Sequence, residues 1–504
     1  SGPRGAVEPG GFDFRRHAWF LRLGAIGYTR TPVLALGTDV TGVPVLRFRL
    51  WLADRVRAGL PGDSGGMAAA LLTGDRSGVS QETLQALRTT NLAHLLAISG
   101  LHMGLLAGFV FYAVRLALAS LPWVALRWPI KQIAAGVALW AAAGYLALSG
   151  GNVATERAFI MVAVALIAVL LDRRALSLRS VSVAALIVLT LRPEALLSPG
   201  FQMSFAATTG LVAVFTALRG VEVANLPRWI KPALGTVMSS AVAGIATAPV
   251  GMAHFNLVSH FGLLANIVSV PLMGVWVIPF GAVAMALIPF GLEAWPLMAM
   301  GWGIDWILGV AEAITHWPNA RSRVPSPPGW VLPVLAMGGL YVILWQGRGR
   351  ALGVVPVVLA FGGWMATDRP DMLIAEDGNL VAVRTADGLA LSRETGARFV
   401  AQVWLENDGT LRAQHQAAAL WPDPAPVRLV RGKRAARAYT GCQPQEIVVS
   451  NQPLSPAGPC VLFHPPSLTG AVAGYRTSQG WRFVTDTDLS GVRLWSPDAR
   501  SNSH

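Results

Sequence analysis

Polar side chains that could do chemistry stand inside stretches of sequence that are otherwise apolar. Two histidines and a serine, His94, Ser99 and His102, are close together in one such stretch. Inside a membrane, polar groups are costly unless they face the interior of a helix bundle or a water-filled cavity. An unbroken helix would place Asn91, His94 and His102 on one face, whereas a break at Ser99 and Gly100 would need its backbone buried in protein or lining a cavity. Each histidine can either line a polar path or make a hydrogen bond between helices.

Further polar residues lie in or beside other apolar segments. They are Asn152, Arg157, Gln202, Ser204 and Asn266. Arg157 is the strongest candidate, because a cation entering a membrane span requires an anion, either a buried carboxylate or a phosphate group. Glu156 is its neighbour in sequence but points to another side of a helix. Together with His94, Ser99 and His102, these residues are candidates for lining a path, and each can equally serve helix packing.

An acidic pair forms a second polar stripe. Asp305, Glu312 and His316 would fall within a narrow arc of one helix. Two acids in a span are typical of proton relays in transporters, so Asp305 and Glu312 are candidates for such a relay. The alternative is that Glu312 and His316 simply lie at the membrane surface. Carboxylates would repel phosphate groups, so we do not place this stripe along a nucleic-acid path.

The composition of the chain is that of a membrane protein. Of its 504 residues, 53% are hydrophobic and only 13% are charged, and the mean hydropathy is +0.50. Average soluble domains carry about 25% charged residues. The 40 basic residues exceed the 27 acidic ones, which either reflects arginine in cytoplasmic loops between spans or indicates an anionic partner such as nucleic acid.

The hydropathy pattern predicts a polytopic α-helical membrane protein of about ten spans, followed by a small strand-rich soluble domain. Residues 1–43 are rich in glycine and proline, and residues 44–90 form amphipathic, interfacial helices. Residues 91–367 form the membrane domain and residues 368–504 the soluble domain, in which Asp-Gly turns separate short apolar runs. The expected spans are 92–119, 133–149, 157–172, 177–192, 204–218, 233–253, 261–288, 296–315, 331–345 and 351–367.

Loop charge predicts the orientation of the spans. The arginine- and lysine-rich loops are assigned to the cytoplasm, which leaves the N-terminal segment and the C-terminal domain in the periplasm. These loops contain Arg127 and Lys131, then Arg173, Arg174 and Arg179, then Arg219, Arg228 and Lys231, and finally Arg348 and Arg350. The loop with Arg321 and Arg323 does not fit this charge pattern, because ten spans would place it on the periplasmic side.

Cys442 and Cys460 are the two cysteines of the chain. In an oxidising compartment they are a disulfide candidate; the alternative is two unpaired buried thiols.

Several segments resemble one known family. The run at 94–102, His-Leu-Leu-Ala-Ile-Ser-Gly-Leu-His, resembles the signature of ComEC-type competence proteins, and Leu-Thr-Gly-Asp-Arg at 72–76 precedes it as in that family. Three further elements of the family are matched in order. They are residues 151–158, the Pro-Gly-Phe-Gln-Met-Ser-Phe run at 199–205, and Asn266 with Pro271. These matches cover roughly residues 65 to 290. Residues 9–14 look like the tail of the family's periplasmic OB-type domain.

The resemblance implies a function in natural transformation. It implies a multi-pass channel in the bacterial inner membrane that takes up single-stranded DNA. The implied partners are single-stranded DNA, the lipid bilayer, a periplasmic DNA receptor and a cytoplasmic DNA translocase; no cofactor is expected. No Walker-type phosphate loop occurs, so the driving energy would come from elsewhere. The alternative function is a proton-coupled transporter of small solutes, to which Asp305 and Glu312 would be central.

The C-terminal domain departs from the family pattern. Many members end in a metallo-β-lactamase-like domain with a His-x-His-x-Asp-His metal run, and this sequence has no such run. His415, His464 and His504 are far apart and lack ligand spacing. We therefore expect no catalytic residue, no metal site and no nuclease activity, and a domain that is either a degenerate relative of that fold or unrelated to it.

Overall fold

A computed structural model describes residues 2–27, 44–220, 227, 230–455, 457–465 and 467–496. Residues 28–43 of the predicted N-terminal segment, the loop residue Arg228 and the terminal His504 lie outside the described residues. The chain forms two compact units. One consists of Ala35–Ser322, and the other combines Ser1–Leu34 with Arg323–His504.

Most of the described chain is helical, and strands are concentrated after residue 371. The α-helices are α1 (Phe14–Phe20), α2 (Pro44–Gly59), α3 (Gly62–Thr73), α4 (Gln81–Thr89), α5 (Gly100–Ala119), α6 (Pro122–Arg127), α7 (Ile130–Leu148), α8 (Val153–Leu170), α9 (Leu178–Leu191), α10 (Pro199–Ala217), α11 (Ile230–Phe255), α12 (Gly262–Leu272), α13 (Ile278–Leu287), α14 (Ala294–Thr315), α15 (Val331–Leu344), α16 (Val354–Met365), α17 (Arg398–Asn407), α18 (Gln414–Ala418), α19 (Gly432–Ala438) and α20 (Asp486–Ser490). The strands are β1 (Leu257–Ser259), β2 (Arg321–Arg323), β3 (Met372–Ile374), β4 (Val381–Thr385), β5 (Gly388–Leu391), β6 (Arg428–Val430), β7 (Ile447–Ser450), β8 (Val461–Phe463), β9 (Val472–Thr477) and β10 (Gly480–Thr485).

Seven helices within the described residues are long and apolar enough to cross a membrane. They are α5, α7, α8, α10, α11, α14 and the continuous segment Gly262–Phe290, in which a π-helical turn joins α12 to α13. These helices correspond to seven of the ten predicted spans. The other three predicted spans form the shorter helices α9, α15 and α16. The structure thus supports a polytopic helical protein, and the count of ten spans stays a prediction.

A short buried helix lies at the centre of the Ala35–Ser322 unit. Residues 65–71 of α3 are fully enclosed, and Met67 and Leu71 pack in one core with Met300 and Ile304 of α14. The backbone approaches so closely that a β-carbon at Gly66 would lie 2.1 Å from the carbonyl oxygen of Gly78. Glycine is the residue that allows such an approach. The 44–90 region contains α2, α3 and α4, and α3 lies in the protein core, whereas the sequence predicted amphipathic helices at the membrane interface.

Helix α8 lies between two groups of helices in the same unit. Ala158 of α8 packs with Met103 of α5 and with Ala142 of α7, while Ile160 packs against a cluster that contains Phe201 of α10. The buried face of α7 consists largely of alanine, at positions 134, 135, 138 and 142. Small residues let helices approach closely in membranes. This packing brings the amino end of α8 near the amino end of α10.

The second unit contains two β-sheets. Strands run in the order β10-β9-β3-β4-β5 in an antiparallel sheet, and β6-β7-β8 form a parallel sheet. Leu373 of β3 lies opposite Ala382 of β4, and these residues face a core with Trp404, while Met372 and Val383 face a second core. Side chains alternate between the faces of a strand, so this sheet is buried on both sides. The C-terminal domain is strand-rich as predicted.

The N-terminal segment folds onto this sheet domain. Glu8 is only 5% exposed and forms an ion pair with Arg369 (2.6 Å), and its other carboxylate oxygen accepts from Asn407 Nδ2 (2.9 Å). The indole nitrogen of Trp404 donates to the carbonyl oxygen of Val7 (2.7 Å). Arg15 pairs with Glu376. Residues near both ends of the chain therefore belong to one folded body.

A disulfide joins Cys442 to Cys460 in the second unit. Cys442 precedes β7 and Cys460 directly precedes β8, two strands that pair in parallel with Ile447 opposite Val461. The backbone N–H of Cys442 also donates to the carbonyl oxygen of Ala457 (2.9 Å). The bond therefore links the chain segments that lead into two neighbouring strands.

Candidate functional site

The first polar group on the long helices lies where α5 begins. Residues 93–95 form a 3₁₀ turn, and the helix starts only at Gly100, after Ser99 in an extended conformation. The N–H of Ser99 donates to His102 Nδ1 (3.3 Å), and Ser99 Oγ lies 3.0 Å from the same nitrogen. The break considered from the sequence is present. The alternative with Asn91, His94 and His102 on one face of an unbroken helix is therefore not formed, because the 3₁₀ turn ends at Leu95 and α5 begins at Gly100.

The two histidines have different surroundings. His102 is fully buried, and because a backbone N–H can only donate, its Nδ1 accepts and a neutral ring carries the proton on Nε2. His94 is exposed, and its Nδ1 donates to the carbonyl oxygen of Asn91 (2.9 Å). The ring of His102 thus interacts with the backbone of Ala97 and Ser99, and His94 interacts with that of Asn91.

Asn152 caps helix α8. Its side-chain oxygen accepts from the N–H of Thr155 (3.0 Å) and from Thr155 Oγ1 (3.0 Å). Asparagine is among the residues preferred at this position because it satisfies amides that the first helical turn leaves free. Gly150 and Gly151, both with positive φ, set the turn that precedes the cap. The contacts of Asn152 are therefore those of a structural cap.

Arg157 lies one turn further along α8 and has no partner. It is 8% exposed, and across the described ranges its guanidinium makes no hydrogen bond and no ion pair. A β-carbon built at Gly200 would lie 3.0 Å from each of the two terminal nitrogens of Arg157. The guanidinium thus lies against the first turn of α10. Unpaired buried charge is costly, which makes Arg157 the least satisfied group among the candidates.

Glu156 pairs with a residue that the sequence did not single out. Its Oε2 accepts from Arg192 Nε at 2.7 Å, and both side chains are about one-third exposed. Glu156, Arg157 and Arg192 also border one small cavity, with Val188 and Ala195 among its other lining residues. Arg192 follows α9 immediately, and the expected span to 192 had counted it among the residues of a membrane segment. Its position next to Glu156 depends on the packing of α8 against α9.

Gln202 connects α10 to its neighbours. Its Nε2 donates to the carbonyl oxygen of Leu196 (3.1 Å), and its Oε1 accepts from His254 Nε2 (2.9 Å) near the end of α11. His254 was not predicted as a site residue, and it lies one residue beyond the expected span at 233–253. Its signal in the sequence is a histidine at the end of an apolar run. Gln202 is thus a hydrogen-bonding link between helices.

The last two path candidates make local contacts. Asn266 Nδ2 donates to the carbonyl oxygen of Gly262 on its own helix (2.8 Å), and Ser204 is half-buried. Within the described chain, Ser99 and His102 are the one pair among the eight candidates that hydrogen bonds join. The structure therefore brings Arg157 to α10 and Gln202 to α11, and it does not join the candidates into one continuous chain.

The acidic stripe on α14 is not linked by its side chains. Asp305 accepts from Ser64 Oγ of α3, and Glu312 is exposed. His316 Nδ1 donates to the backbone carbonyl of Glu312 (2.8 Å) rather than to its carboxylate. Among the residues with described coordinates, no hydrogen bond joins Asp305 to Glu312. The proton relay stays a prediction.

A further polar cluster stabilises the turns around α3, and sequence reasoning missed it. Asp63 accepts from the N–H and Oγ of Ser80 (both 2.8 Å) and from Thr83 Oγ1 (2.5 Å). Burial acts to raise the pKa of Asp63, but the hydrogen bonds outweigh it, so the pKa lies below its ordinary value. Asp75, in the motif at 72–76, accepts from Arg57 (2.9 Å). Burial acts to raise the pKa of Asp75, but hydrogen bonds from Ser77 and Arg57 outweigh it, so the pKa is lowered.

The C-terminal histidines with described coordinates make separate contacts. His464 Nδ1 accepts from the N–H of Leu454 (3.1 Å), while His415 is exposed on α18. Burial lowers the pKa of His464. Considering only the described residues, no three His, Cys, Asp or Glu side chains come together as a metal-binding group.

The chain is similar in sequence to known competence proteins. A family model described as "Competence protein" matches residues 71–349. The chain is 29% identical over 289 residues to ComE operon protein 3 of Bacillus subtilis, covering 57% of this chain and 34% of that protein. It is 27% identical over 423 residues to competence protein ComA of Neisseria gonorrhoeae, covering 79% and 55%. It is 26% identical over 281 residues to recombination protein 2 of Haemophilus influenzae, covering 54% and 34%. The matched part thus spans about a third to about half of these relatives. No solved structure matches the chain.

Proposed function

Because a family model covers more than half of the chain, this protein belongs to the ComEC family of competence proteins, and we propose that it is an inner-membrane channel for single-stranded DNA uptake in natural transformation. The matching family model and one relative are named for competence, and another relative is named for recombination. Seven long apolar helices support its location in a membrane.

Arg157 is the observation that carries the proposal. A channel for a nucleic-acid strand needs cations that offset the phosphate charge along a wet path. Arg157 offers a buried guanidinium that no described protein group neutralises. His102 adds a buried imidazole on the neighbouring helix α5. His94, Ser99, Asn152, Gln202, Ser204 and Asn266 complete the proposed path, and of these Asn152 has the contacts of a cap.

The orientation and the partners form part of the same proposal. Arginine in the loops around Arg127, Arg174 and Arg348 supports a cytoplasmic side. The N-terminal segment and the C-terminal domain then lie in the periplasm, where the Cys442–Cys460 disulfide would be stable. A periplasmic receptor would deliver the DNA, and a cytoplasmic translocase would pull the strand. In this proposal the chain itself has no nuclease activity.

The alternative, a proton-coupled transporter of small solutes, has less support. It would rely on Asp305 and Glu312 of α14. Asp305 accepts from Ser64, and Glu312 points away from the protein core. Proton relays require carboxylates connected by hydrogen bonds or water, and the described side chains do not make that connection directly.

The test is uptake of labelled DNA by cells that lack this protein. Surface-bound and nuclease-resistant DNA are measured separately, and the same gene is restored on a plasmid introduced by electroporation. We expect normal surface binding and loss of the nuclease-resistant fraction, with recovery on restoration. Normal internalisation in the deletion strain would reject the channel. A defect in small-solute accumulation with normal DNA uptake would favour the transporter instead.

A further inference from the structure

The amino end of α10 contains an amide that none of the described residues uses. Ser198 caps this helix: its Oγ accepts from the N–H of Phe201 (3.2 Å), and its carbonyl accepts from the N–H of Gln202 (3.2 Å). Pro199 has no N–H. Gly200 is the first residue of the helix that does carry one, and within the described residues this N–H donates no hydrogen bond.

The guanidinium of Arg157 lies beside Gly200, the residue that carries this free amide. Both of its terminal nitrogens are 3.0 Å from the position that a β-carbon of Gly200 would occupy. The amino end of a helix carries partial positive charge, so a buried cation placed there is unfavourable unless an anion joins it. An oxyanion between Arg157 and Gly200 would accept from both groups, as anions do at helix amino ends.

A carboxylate that could fill this position is held elsewhere. Glu156 borders the same small cavity as Arg157, yet its Oε2 accepts from Arg192 Nε at 2.7 Å. Arg192 therefore engages the acid that shares this cavity with the guanidinium. Without Arg192, Glu156 would gain by turning towards Arg157, since both groups would otherwise lack a partner of opposite charge.

We propose that Arg157 and the free amide of Gly200 bind one phosphate oxyanion, and that Arg192 keeps this site open by holding Glu156. Arg157 is the binding residue and Arg192 a positioning residue. The identity of the ligand as a phosphodiester of single-stranded DNA rests on the proposed function. A phospholipid headgroup has the same phosphodiester chemistry, and the experiment distinguishes these two sources.

The test measures binding of a fluorescent oligothymidylate to the purified full chain in a non-ionic detergent. A second oligonucleotide of equal length carries uncharged methylphosphonate linkages. We expect the wild-type protein to prefer the charged strand. Arg157→Gln should weaken its binding about tenfold to a hundredfold, because a charge-assisted hydrogen bond is lost, and should reduce the slope of log affinity against log salt by about 0.7. Unchanged affinity and slope would overturn the site.

Variants of the ion pair test the positioning role. Arg192→Gln should weaken binding nearly as much as Arg157→Gln, and the double variant Glu156→Gln with Arg192→Gln should restore it, because no acid is left to occupy the site. Failure of the double variant to restore binding would overturn the role of Arg192. Gly200→Ala adds a methyl group 3.0 Å from the guanidinium and should weaken binding without changing the charge. Thermal unfolding of each variant verifies that it is folded.

Phosphatidylglycerol in mixed micelles provides the lipid arm. If it binds, depends on Arg157 and Arg192 in the same way, and is not displaced by the charged oligonucleotide, the oxyanion site stands and its ligand is lipid. That outcome rejects DNA as the ligand. If cells take up DNA normally without this protein while the purified chain still binds the charged strand through Arg157, the proposed function fails and the site survives.

Discussion

Replacing Arg157 by glutamine separates a role in transport from a role in folding. The side chain is 8% exposed and, within the described residues, faces no carboxylate, since Glu156 is engaged with Arg192. Removing one member of a buried ion pair typically costs about 3 to 5 kcal/mol, because a charge is left uncompensated. No such charge would be left here. We therefore expect Arg157→Gln to change the free energy of unfolding by no more than about 1 kcal/mol, within the range of ordinary substitutions.

DNA internalisation should respond very differently. A hydrogen bond to a charged group is worth about 1.5 to 3 kcal/mol, which corresponds to about a tenfold to a hundredfold loss when the contact is made during passage. Arg157→Lys should keep a substantial part of the uptake, because a lysine still offers positive charge, although it lacks the planar fork of arginine.

The assay compares nuclease-resistant labelled DNA with membrane abundance in the same cells. Arg115→Gln is a matched control, because Arg115 is an exposed arginine on the membrane-length helix α5. It removes the same charge from a long helix without touching α8 or α10. Full uptake at normal abundance in Arg157→Gln would refute the reasoning. Disappearance of the protein from the membrane would instead show that Arg157 compensates a buried acid.

The orientation, the disulfide and the hydrogen bonds of Asp63 each give a prediction. A cytoplasm-active reporter fused after Arg174 and a periplasm-active reporter fused after Asp371 should both give signal, and silence of either would overturn the proposed orientation. Cys442 and Cys460 should resist thiol labelling in the purified protein until reductant is added; ready labelling without it would remove the disulfide. The lowered pKa of Asp63 stabilises the fold above its unfolded-state value of about 3.9, and this contribution is lost as the pH falls through the lower folded-state value. Thermal unfolding of Asp63→Asn should therefore vary less with pH below about 5 than that of the wild type, and parallel curves would contradict this.

The class of fold and the positions of most long helices follow from local sequence patterns. Apolar runs of membrane length predicted the seven long helices, and turn residues predicted the strand-rich domain. The local pattern also suggested a break near Ser99, because serine and glycine interrupt an otherwise apolar run there. It could not decide between a break and a continuous helix, since that depends on whether His102 can cap the new helix.

The contacts of the candidate site depend on residues that are distant in sequence. Arg157 was a candidate because a cation is rare in a span, but nothing near it in the sequence indicated Gly200. The engagement of Glu156 with Arg192 and of Gln202 with His254 also arises from helix packing. Asp63 lies in the first turn of α3, and its bonds to Ser80 form only because the chain turns back after that helix.

The ion pair between Glu8 and Arg369 restricts the number of times that the chain can cross a bilayer. Residues 8 and 369 lie in one folded body, so both must be on the same side of the membrane, and the chain between them must cross an even number of times. If all seven long helices cross, at least one of the shorter helices α9, α15 and α16 must cross as well, and their number must be odd. The requirement for an even number of crossings thus assigns a membrane crossing to at least one helix that is too short to be recognised as a span by its length.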